Sequence, residues 1–290
     1  MARLRAKFGV LIGVVIGLAV AGVTVLAIPA SSSNSKVAVS DYLTSPTLEK
    51  IKSSGNLRAC IDPEFPPEVY TKNGEPAGLD VALTKELATS LGANIVWVTS
   101  SFDGLIAGLQ ADKCDIALSG VTPRGKRALA VTFAKPTLAG VEAVVVKKTD
   151  TRTTFATLNK SSVKFCAQTG TGSEFSQKKY FPKSKVTKVP SAETCLLQVV
   201  SGKADATITD TITGNGWIKA QKSLKLVLTK NGLPAAPVGA AVPLGDFGFA
   251  AYIDVFFGEF INNGNYDPLF RKEMGYEPDM DVLMRQRGNF

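Results

Sequence analysis

Residues 109–120 read LQADKCDIALSG, and residues 199–210, 90 positions further on, read VVSGKADATITD. Both stretches follow one order: the end of an amphipathic helix, a polar turn, a Lys-x-Asp motif, a short apolar strand and a polar tip. Two similar α/β lobes with their strand tips at one edge would hold a ligand in the cleft between those edges. The order of elements common to all α/β folds is an alternative explanation of the similarity.

A basic loop follows the first of these strands. Residues 119–127 read SGVTPRGKR, and Phe133 comes six residues after Arg127. Open α/β sheets bind ligands outside the carboxyl ends of their strands. The loop offers a glycine, a threonine hydroxyl and three cations, which is the chemistry that grips a carboxylate. A solvated basic turn is the alternative interpretation of this loop taken by itself.

The composition is that of an ordinary globular protein of 290 residues, with 45% hydrophobic and 20% charged residues. The absence of histidine excludes histidine-based triads, general bases and metal ligands. Three of the cations behind the net charge of +8 belong to the N-terminal segment, and the remaining +5 is dispersed. There is no arginine-rich run, RNA-binding aromatic signature or zinc-ligand spacing. The sequence therefore predicts no nucleic-acid partner, metal or other cofactor.

The first 30 residues have the pattern of an export signal. Arg3, Arg5 and Lys7 precede an apolar run over residues 9–28, and a Pro-Ala pair with three serines follows. We interpret residues 1–30 as a signal peptide or, since about 20 apolar residues suffice to span a bilayer, as an uncleaved membrane anchor. Residues 31–55 are a serine-rich linker and a short helix. In both cases the remaining chain is predicted to be extracytoplasmic.

Four cysteines in an exported chain favour disulfide bonds. The preferred pair is Cys166, in a predicted strand, with Cys195, in the next predicted helix. Cys60 and Cys114 lie near the end of one predicted strand and the start of another. If these strands are parallel neighbours in register, the two cysteines are roughly 13 Å apart at ~3.3 Å per residue, beyond disulfide reach. Bonding of this second pair stays open at this point.

Alternating strands and helices predict an α/β fold with parallel strands. In the first half, strands are predicted over residues 57–61, 95–98 and 115–118, and helices over 78–91 and 102–110. In the second half, strands are predicted over 163–167, 186–189 and 204–208, with a helix over 192–200. Further predicted elements are a hairpin turn at 71–75, strands at 141–146 and 238–242, and helices at 249–261 and 268–274.

The predicted strand tips carry side chains that suit an α-amino acid. An arginine can bind the ligand carboxylate, an aspartate its ammonium group, and aromatic rings its side chain. Each residue also has a plainer explanation, such as core packing, a simple turn or a helix cap. The glycine-rich tip at 170–173 lacks the lysine of a phosphate loop, which excludes nucleotide binding. The tip residues are Asp62, Phe65, Phe102, Gly120, Thr122, Arg127, Gly170, Thr171, Ser173 and Asp210.

An ordered set of motifs covers about residues 56–276. The motifs are Leu57 with DPEFPP at 62–67, GLDV at 78–81, FDGLI at 102–106, DIALSG at 115–120, Arg127 with Phe133, QTGT at 168–171, GKADA at 202–206 with Asp210, and GNY at 264–266. In this order they resemble the family 3 extracellular solute-binding proteins, which deliver polar amino acids to ABC importers. The resemblance implies a two-lobe periplasmic-binding-protein fold of type II that closes on its ligand by hinge motion. Lobe 1 would comprise residues 56–147 and 239–290, and lobe 2 residues 148–238.

The resemblance also implies roles for the tip residues. Arg127 would bind the ligand's α-carboxylate, helped by Thr122 and the Gly120 backbone. From the other lobe, Gly170 and Thr171 would close on the same group. The α-ammonium would go to Asp210, and the side chain would lie among Asp62, Phe65 and Phe102.

Three departures from the family pattern bear on the ligand. The family often has Thr-Pro-Glu-Arg where this chain has Arg-Gly-Lys-Arg at 124–127, so Arg124 competes with Arg127 for the carboxylate role. Glu68 stands where an aromatic residue is frequent, and an aromatic residue common near Thr137 is missing. Asp62 with two rings favours glutamine or a basic amino acid, whereas the additional Arg124 would suit an acidic one.

The predicted function is a monomeric, non-enzymatic substrate-binding component of an ABC importer, with a membrane permease as its partner. A first alternative is an enzyme on the same fold, similar to cyclohexadienyl or arogenate dehydratase, for which Glu68 and Glu142 are the candidate general acids. A second alternative is a ligand-sensing module held by an uncleaved anchor.

Overall fold

The computed structural model describes residues 44–228 and 233–290. The predicted export signal and most of the linker lie outside the described residues. Within the described part, no helix combines the length and the apolar character needed to cross a membrane.

The strands are β1 (Asn56–Ile61), β2 (Glu64–Phe65), β3 (Val69–Lys72), β4 (Glu75–Ala77), β5 (Asn94–Thr99), β6 (Ile116–Ala117), β7 (Val131–Lys147), β8 (Lys164–Gln168), β9 (Lys185–Val189), β10 (Ala206–Asp210), β11 (Leu224–Val227) and β12 (Ala235–Pro243). The helices are α1 (Pro46–Ser54), α2 (Leu79–Ser90), α3 (Phe102–Gln110), α4 (Gly125–Ala128), α5 (Phe155–Leu158), α6 (Gly172–Tyr180), α7 (Ala192–Ser201), α8 (Thr211–Ala220), α9 (Phe247–Asn262), α10 (Tyr266–Met274) and α11 (Met280–Gly288).

The first half of the fold is built on strands in the order β5-β1-β6-β12-β7. β1 runs parallel to β5 and β6, which confirms the predicted parallel arrangement of these three strands. β12 is antiparallel to β6 and β7. Helix α2 covers this sheet because its apolar residues recur at helical spacing: Leu79, Leu83 and Leu87 are all fully buried in the core.

The second half repeats the pattern with the order β7-β10-β8-β9, and β11 pairs with β7. β8 is parallel to both β9 and β10. Its separate apolar core includes Phe165 and Phe181, whose rings stack at 4.8 Å between centroids. The strand tips of both halves carry the predicted site residues.

Strand β7 belongs to both sheets. Its residues 131–141 pair with β12, and its residues 142–147 pair with β10 and β11. The sequence analysis predicted only residues 141–146 of this strand. Pro136 is accommodated where the register with β12 shifts, which is where an edge or bulged strand tolerates proline. The lobe boundaries at residues 147/148 and 238/239 stay a prediction.

The described residues contain two disulfides. Cys166 of β8 is bonded to Cys195 of α7, with 5.2 Å between Cα atoms. Cys60 is bonded to Cys114, the pair that the sequence left open, with 5.7 Å between Cα atoms, so the conditional distance of roughly 13 Å at ~3.3 Å per residue is wrong. Its premise fails because Cys114 lies in the turn before β6 rather than in the strand. The turn brings it back beside Cys60.

Asp246 links the starts of helices α1 and α9. Its Oδ1 accepts a hydrogen bond from the Phe249 backbone N–H at 2.9 Å and so caps α9. Its Oδ2 accepts from the Thr47 N–H at 3.0 Å, at the start of α1. The side chain is 5% exposed, so both donors depend on it rather than on water.

Asp246→Ala is expected to lower the free energy of unfolding by about 2 kcal/mol, because it removes a cap and strands a buried N–H. Denaturant unfolding of the full chain measures this. Asp246→Asn keeps only one of the two acceptors, so it should retain the α9 cap and still lose the hydrogen bond from the Thr47 N–H. A loss below about 0.5 kcal/mol for the alanine variant would contradict the assignment.

Candidate functional site

A cavity of about 60 Å³ lies where the strand tips of the two halves meet. Both halves contribute to its wall, and so does the shared strand β7. Of the nine residues predicted to bind the ligand, six line it and Asp62, Arg127 and Gly170 lie outside its wall. The lining residues are Phe65, Glu68, Phe102, Gly120, Thr122, Glu142, Gln168, Thr171, Gly172, Ser173, Ala192, Cys195, Thr207, Ile208, Thr209, Asp210, Trp217 and Ala236.

Arg127 sits just behind this wall, on the short helix α4. Its guanidinium donates to the Thr122 carbonyl at 2.7 Å and to the Gly170 carbonyl at 2.9 Å, which links the two halves. It also stacks over the ring of Phe102, 5.0 Å from the centroid. The side chain is 9% exposed and makes no ion pair with any described residue. Burial, with a further contribution from Arg124, lowers the pKa of Arg127 to about 10, so it keeps its charge at neutral pH.

Arg124 is engaged differently. Its Nη2 donates to Glu142 Oε1 at 2.7 Å, and Glu142 also accepts a short hydrogen bond from the Ser176 hydroxyl. The charge of Arg124 is therefore compensated within the protein. Arg124 and Arg127 were both candidates for binding the ligand carboxylate. Among the described residues, only Arg124 has a carboxylate partner in the protein, so Arg127 is the one that remains free to bind a ligand carboxylate.

The second half presents the start of helix α6 to the cavity. Thr171, Gly172 and Ser173 line the wall, and the Ser173 hydroxyl is buried without a hydrogen-bond partner in the described structure. A Cβ at Gly172 would lie 2.7 Å from Arg124 Nη2 and 2.8 Å from Glu142 Oε1, so a larger residue would displace the ends of these two side chains. The amide-rich start of a helix favours an anionic group.

Asp210 ends β10 at the other side of the cavity. Its Oδ1 accepts hydrogen bonds from the backbone N–H groups of Ile212 at 2.7 Å and Thr213 at 2.9 Å, so it caps α8. The capping explanation considered for this residue is therefore realised. It does not exclude a ligand role, because a carboxylate accepts several hydrogen bonds and Asp210 also lines the cavity.

Glu68 lies beside Asp210 in the cavity wall. It is 1% exposed, its carboxyl is hydrogen-bonded to that of Asp210, and its Oε1 lies 3.5 Å from the Thr213 hydroxyl. Burial raises the pKa of Glu68 well above its usual range, and the charges of Asp210 and Asp80 add to the shift. The protonated form of Glu68 is therefore favoured beside Asp210, which comes from the opposite half.

Asp62 lies behind the wall and reaches the cavity through a neighbour. Its Oδ2 accepts a hydrogen bond from Gln168 Nε2 at 3.2 Å, and its backbone N–H donates to the Ser119 hydroxyl at 2.8 Å. Gln168 itself lines the cavity. Burial, together with the charges of Glu64 and Asp103, raises the pKa of Asp62 to about 7.

The predicted aromatic pair is in contact. The rings of Phe65 and Phe102 meet edge to face, with 5.5 Å between centroids, and both line the cavity. Trp217 of α8 also lines it and was missed by sequence reasoning.

Comparison with known proteins identifies the family of this chain. Residues 57–276 match the profile of the bacterial extracellular solute-binding proteins, family 3. The chain belongs to this family. Its solved relatives share the two-lobe α/β fold, and a crystal structure of an ancestral amino-acid-binding protein, a precursor of cyclohexadienyl dehydratase, superimposes with a TM-score of 0.73 at 32% identity. That match covers 79% of this chain and 99% of the other.

Two relatives of known name differ in activity: one is an enzyme and the other a binding protein. The cyclohexadienyl dehydratase of Pseudomonas aeruginosa is 31% identical over 168 residues, which is 57% of this chain and 63% of the dehydratase. The histidine-binding periplasmic protein of Escherichia coli K12 is 27% identical over 168 residues, which is 57% of this chain and 64% of that protein. The match thus spans under two thirds of either relative, and the family includes both amino-acid binders and an enzyme.

The buried acids of this family 3 protein include Asp80, which is fully buried in helix α2. Its Oδ2 accepts a hydrogen bond from the Gly120 backbone N–H at 2.7 Å. Burial raises the pKa of Asp80 to about 7, although the Gly120 hydrogen bond opposes the shift. Asp62 and Asp80 therefore both hold protons in the folded state at pH values where an ordinary aspartate, with a pKa of 3.8, is ionised.

The free energy of unfolding is expected to fall as the pH rises from about 4 to about 7. Over this window the folded state holds protons that the unfolded chain has released, and this advantage is lost as the pH passes the folded pKa values. Denaturant unfolding of the full chain should give a larger value at pH 5 than at pH 8, by roughly 2–5 kcal/mol, since each of the two aspartates contributes up to about 2.6 kcal/mol over this range. Asp80→Asn should reduce the difference, and exposed Asp281→Asn should not. Equal or greater stability at pH 8 would contradict the assignment.

Proposed function

We propose that this chain is the extracytoplasmic binding component of an ABC importer for a polar α-amino acid, with glutamine or a basic amino acid favoured. The ligand occupies the cavity between the strand tips and is enclosed by hinge closure of the two halves. Family membership and the amino-acid-binding relatives support this proposal.

The observation that carries the proposal is the buried, uncompensated charge of Arg127. A guanidinium removed from water is stable only if an anion or several acceptors replace the water, and the described protein offers it two carbonyls and no carboxylate. A ligand α-carboxylate beside Thr122, Gly120 and the start of α6 would supply the missing charge. Thr171 and Gly170 would meet this carboxylate from the second half after the Gly170 N–H, which donates to Glu174 Oε2 at 3.0 Å, is released.

The remaining side chains fit the rest of an amino acid. Asp210 lies at the opposite side of the cavity, where an α-ammonium would offset its charge. Phe65 and Phe102 form an aromatic wall for the ligand side chain, and Asp62 supports that wall through Gln168.

The proposed partner is the membrane permease of an importer, with the chain acting as a monomer. The apolar segment at residues 9–28 would direct export, either as a cleaved signal peptide or as an anchor. Family membership supports a location outside the cytoplasm, since the family is described as extracellular.

A thermal-shift screen of the full chain, kept soluble in a mild detergent, tests the proposal. The ligands are the twenty amino acids, together with prephenate and arogenate. A ligand that binds only the folded state raises the melting temperature by mass action. We expect a shift with one or a few polar amino acids. A shift with prephenate alone, or with no amino acid, would contradict the proposal.

A second candidate is an enzyme similar to cyclohexadienyl or arogenate dehydratase. The observation that favours it is the presence of two buried acids in the cavity wall, Glu68 and Glu142, because such a reaction needs a general acid that is protonated near neutral pH. Burial raises the pKa of Glu142 as well, although Ser176 and Arg124 oppose the shift. Conversion of prephenate or arogenate by the purified chain would establish this candidate, and its absence alongside amino-acid binding would dismiss it.

A further inference from the structure

We propose that Gly216 is a positioning residue that sets how far the two halves of the fold close on a ligand. It lies on helix α8 of the second half, at the point where this helix meets the loop formed by Pro66 and Pro67 of the first half. The inference rests on the proposed function, which requires hinge closure. It assigns the contact that limits closure to a residue outside the set predicted to bind the ligand.

The approach of the two halves at Gly216 leaves no room for a side chain. A Cβ at this position would lie 2.8 Å from the Pro66 carbonyl oxygen and 2.9 Å from Pro67 Cδ. Non-bonded carbon atoms prefer separations of about 3.5–4.0 Å. The two neighbours are a backbone carbonyl and a proline ring, so neither can turn aside as the end of a flexible side chain can. A methyl group at position 216 therefore requires a larger separation of the halves.

The loop of the first half is held in place from behind. The Pro67 carbonyl accepts a hydrogen bond from the Leu79 N–H at 3.3 Å, and the Glu68 carbonyl accepts one from the Asp80 N–H at 2.9 Å. Both donors belong to the start of helix α2, and both residues are fully buried. The loop cannot retreat from Gly216 without breaking these buried hydrogen bonds.

Helix α8 is fixed in the second half. Asp210 caps its start, and Trp217, the neighbour of Gly216, is buried in the apolar core of that half. Gly214 lies two residues earlier and so points roughly 200° away round the helix. A Cβ there would lie 2.7 Å from a methyl carbon of Leu226, which also belongs to the second half. One glycine of α8 thus packs within its own half, and Gly216 faces the other half.

The contact adjoins the cavity. Glu68 follows Pro67 in the loop and Trp217 follows Gly216 in the helix, and both Glu68 and Trp217 line the cavity wall. The separation of the halves at Gly216 therefore governs how closely these two parts of the wall approach a ligand. A ligand that is held only by a partly closed cavity leaves more readily.

Calorimetric titration of the full chain with each of the twenty amino acids tests the inference in Gly216→Ala. The matched control is Gly258→Ala in the interior of α9, where a Cβ would meet nothing within 4 Å. Alanine is the better helix former, so neither change should lower the melting temperature of the ligand-free protein. We expect Gly216→Ala to bind the tightest amino-acid ligand of the wild type about tenfold or more weakly, and Gly258→Ala to bind it as the wild type does.

Hydrogen exchange followed by mass spectrometry separates restricted closure from a loss of helix packing. In the wild type, saturation with that amino acid should slow exchange at residues 215–219 and 68–72, because closure covers both segments. Exchange around Gly258 should not change. In Gly216→Ala at saturation, most of this slowing should be lost. The wild-type measurement needs no variant and decides the matter even if Gly216→Ala fails to fold.

Two results would overturn the inference and leave the proposed function standing. One is an affinity of Gly216→Ala within about threefold of the wild type, or an equal loss in Gly258→Ala. The other is exchange at residues 215–219 of the wild type that the ligand does not slow. A wild-type protein that binds no amino acid would overturn the proposed function together with the inference.

Discussion

Arg127→Met is expected to weaken amino-acid binding by at least about a hundredfold, and up to about a thousandfold, which corresponds to roughly 3–4 kcal/mol. Methionine preserves the apolar stem against Phe102 and removes the charge that would pair with the ligand carboxylate. Because the guanidinium is buried, water cannot replace it. The lost charge-assisted hydrogen bonds should therefore appear almost fully in the dissociation constant.

Calorimetric titration of the full chain with its tightest amino-acid ligand measures this loss. Lys126→Met, an exposed cation one position away, serves as the matched control and should bind within about threefold of the wild type. Arg127→Lys should lie between the two, since it keeps the charge and loses the planar fork. A loss below about tenfold in Arg127→Met would move the carboxylate role to Arg124.

Asp210→Ala is expected to impair two properties together. Binding should weaken by at least about a hundredfold, because the α-ammonium loses its buried counter-charge. The free energy of unfolding should fall by about 1 kcal/mol, because helix α8 loses the cap that holds the N–H groups of Ile212 and Thr213.

Asp210→Asn separates these two effects. Asparagine caps helices about as well as aspartate but carries no charge, so stability should be retained while binding is lost. Unfolding and binding curves of both variants check this. Wild-type affinity in Asp210→Asn would show that the residue acts only as a cap.

The parallel strands and the helices between them were predictable because their patterns are local. Leu79, Leu83 and Leu87 recur at helical spacing, and all three pack into the core as that spacing requires. Helix α8 was missed because Gly214, Gly216 and its β-branched residues have low helix propensity. Its stability comes from the Asp210 cap and from the burial of Trp217, which depend on the tertiary structure.

The site residues that could be predicted from the sequence are those located directly after a predicted strand. Phe102, Gly120, Thr171 and Asp210 lie where parallel strands end, and the structure brings them to one cavity. Pairing between long side chains could not be read from the chain. The compensation of Arg124 by Glu142 depends on β7 running through both sheets, and the sequence indicated only the last part of that strand.

The environment of Glu68 could not be predicted from the family pattern. It was noted as a departure from an aromatic position, without a partner. Its contact with Asp210 joins residues 142 positions apart from opposite halves of the fold, and no local pattern encodes such a contact.

The most direct test of the account is a calorimetric comparison of the tightest-binding amino acid with its α-carboxamide, on the wild-type full chain. The two ligands differ only in the group that Arg127 is proposed to bind. We expect one ligand per chain and an affinity for the amide at least about a hundredfold weaker. An amide that binds as tightly as the free amino acid would contradict the central claim, since the buried charge of Arg127 would then have no part in recognising the ligand.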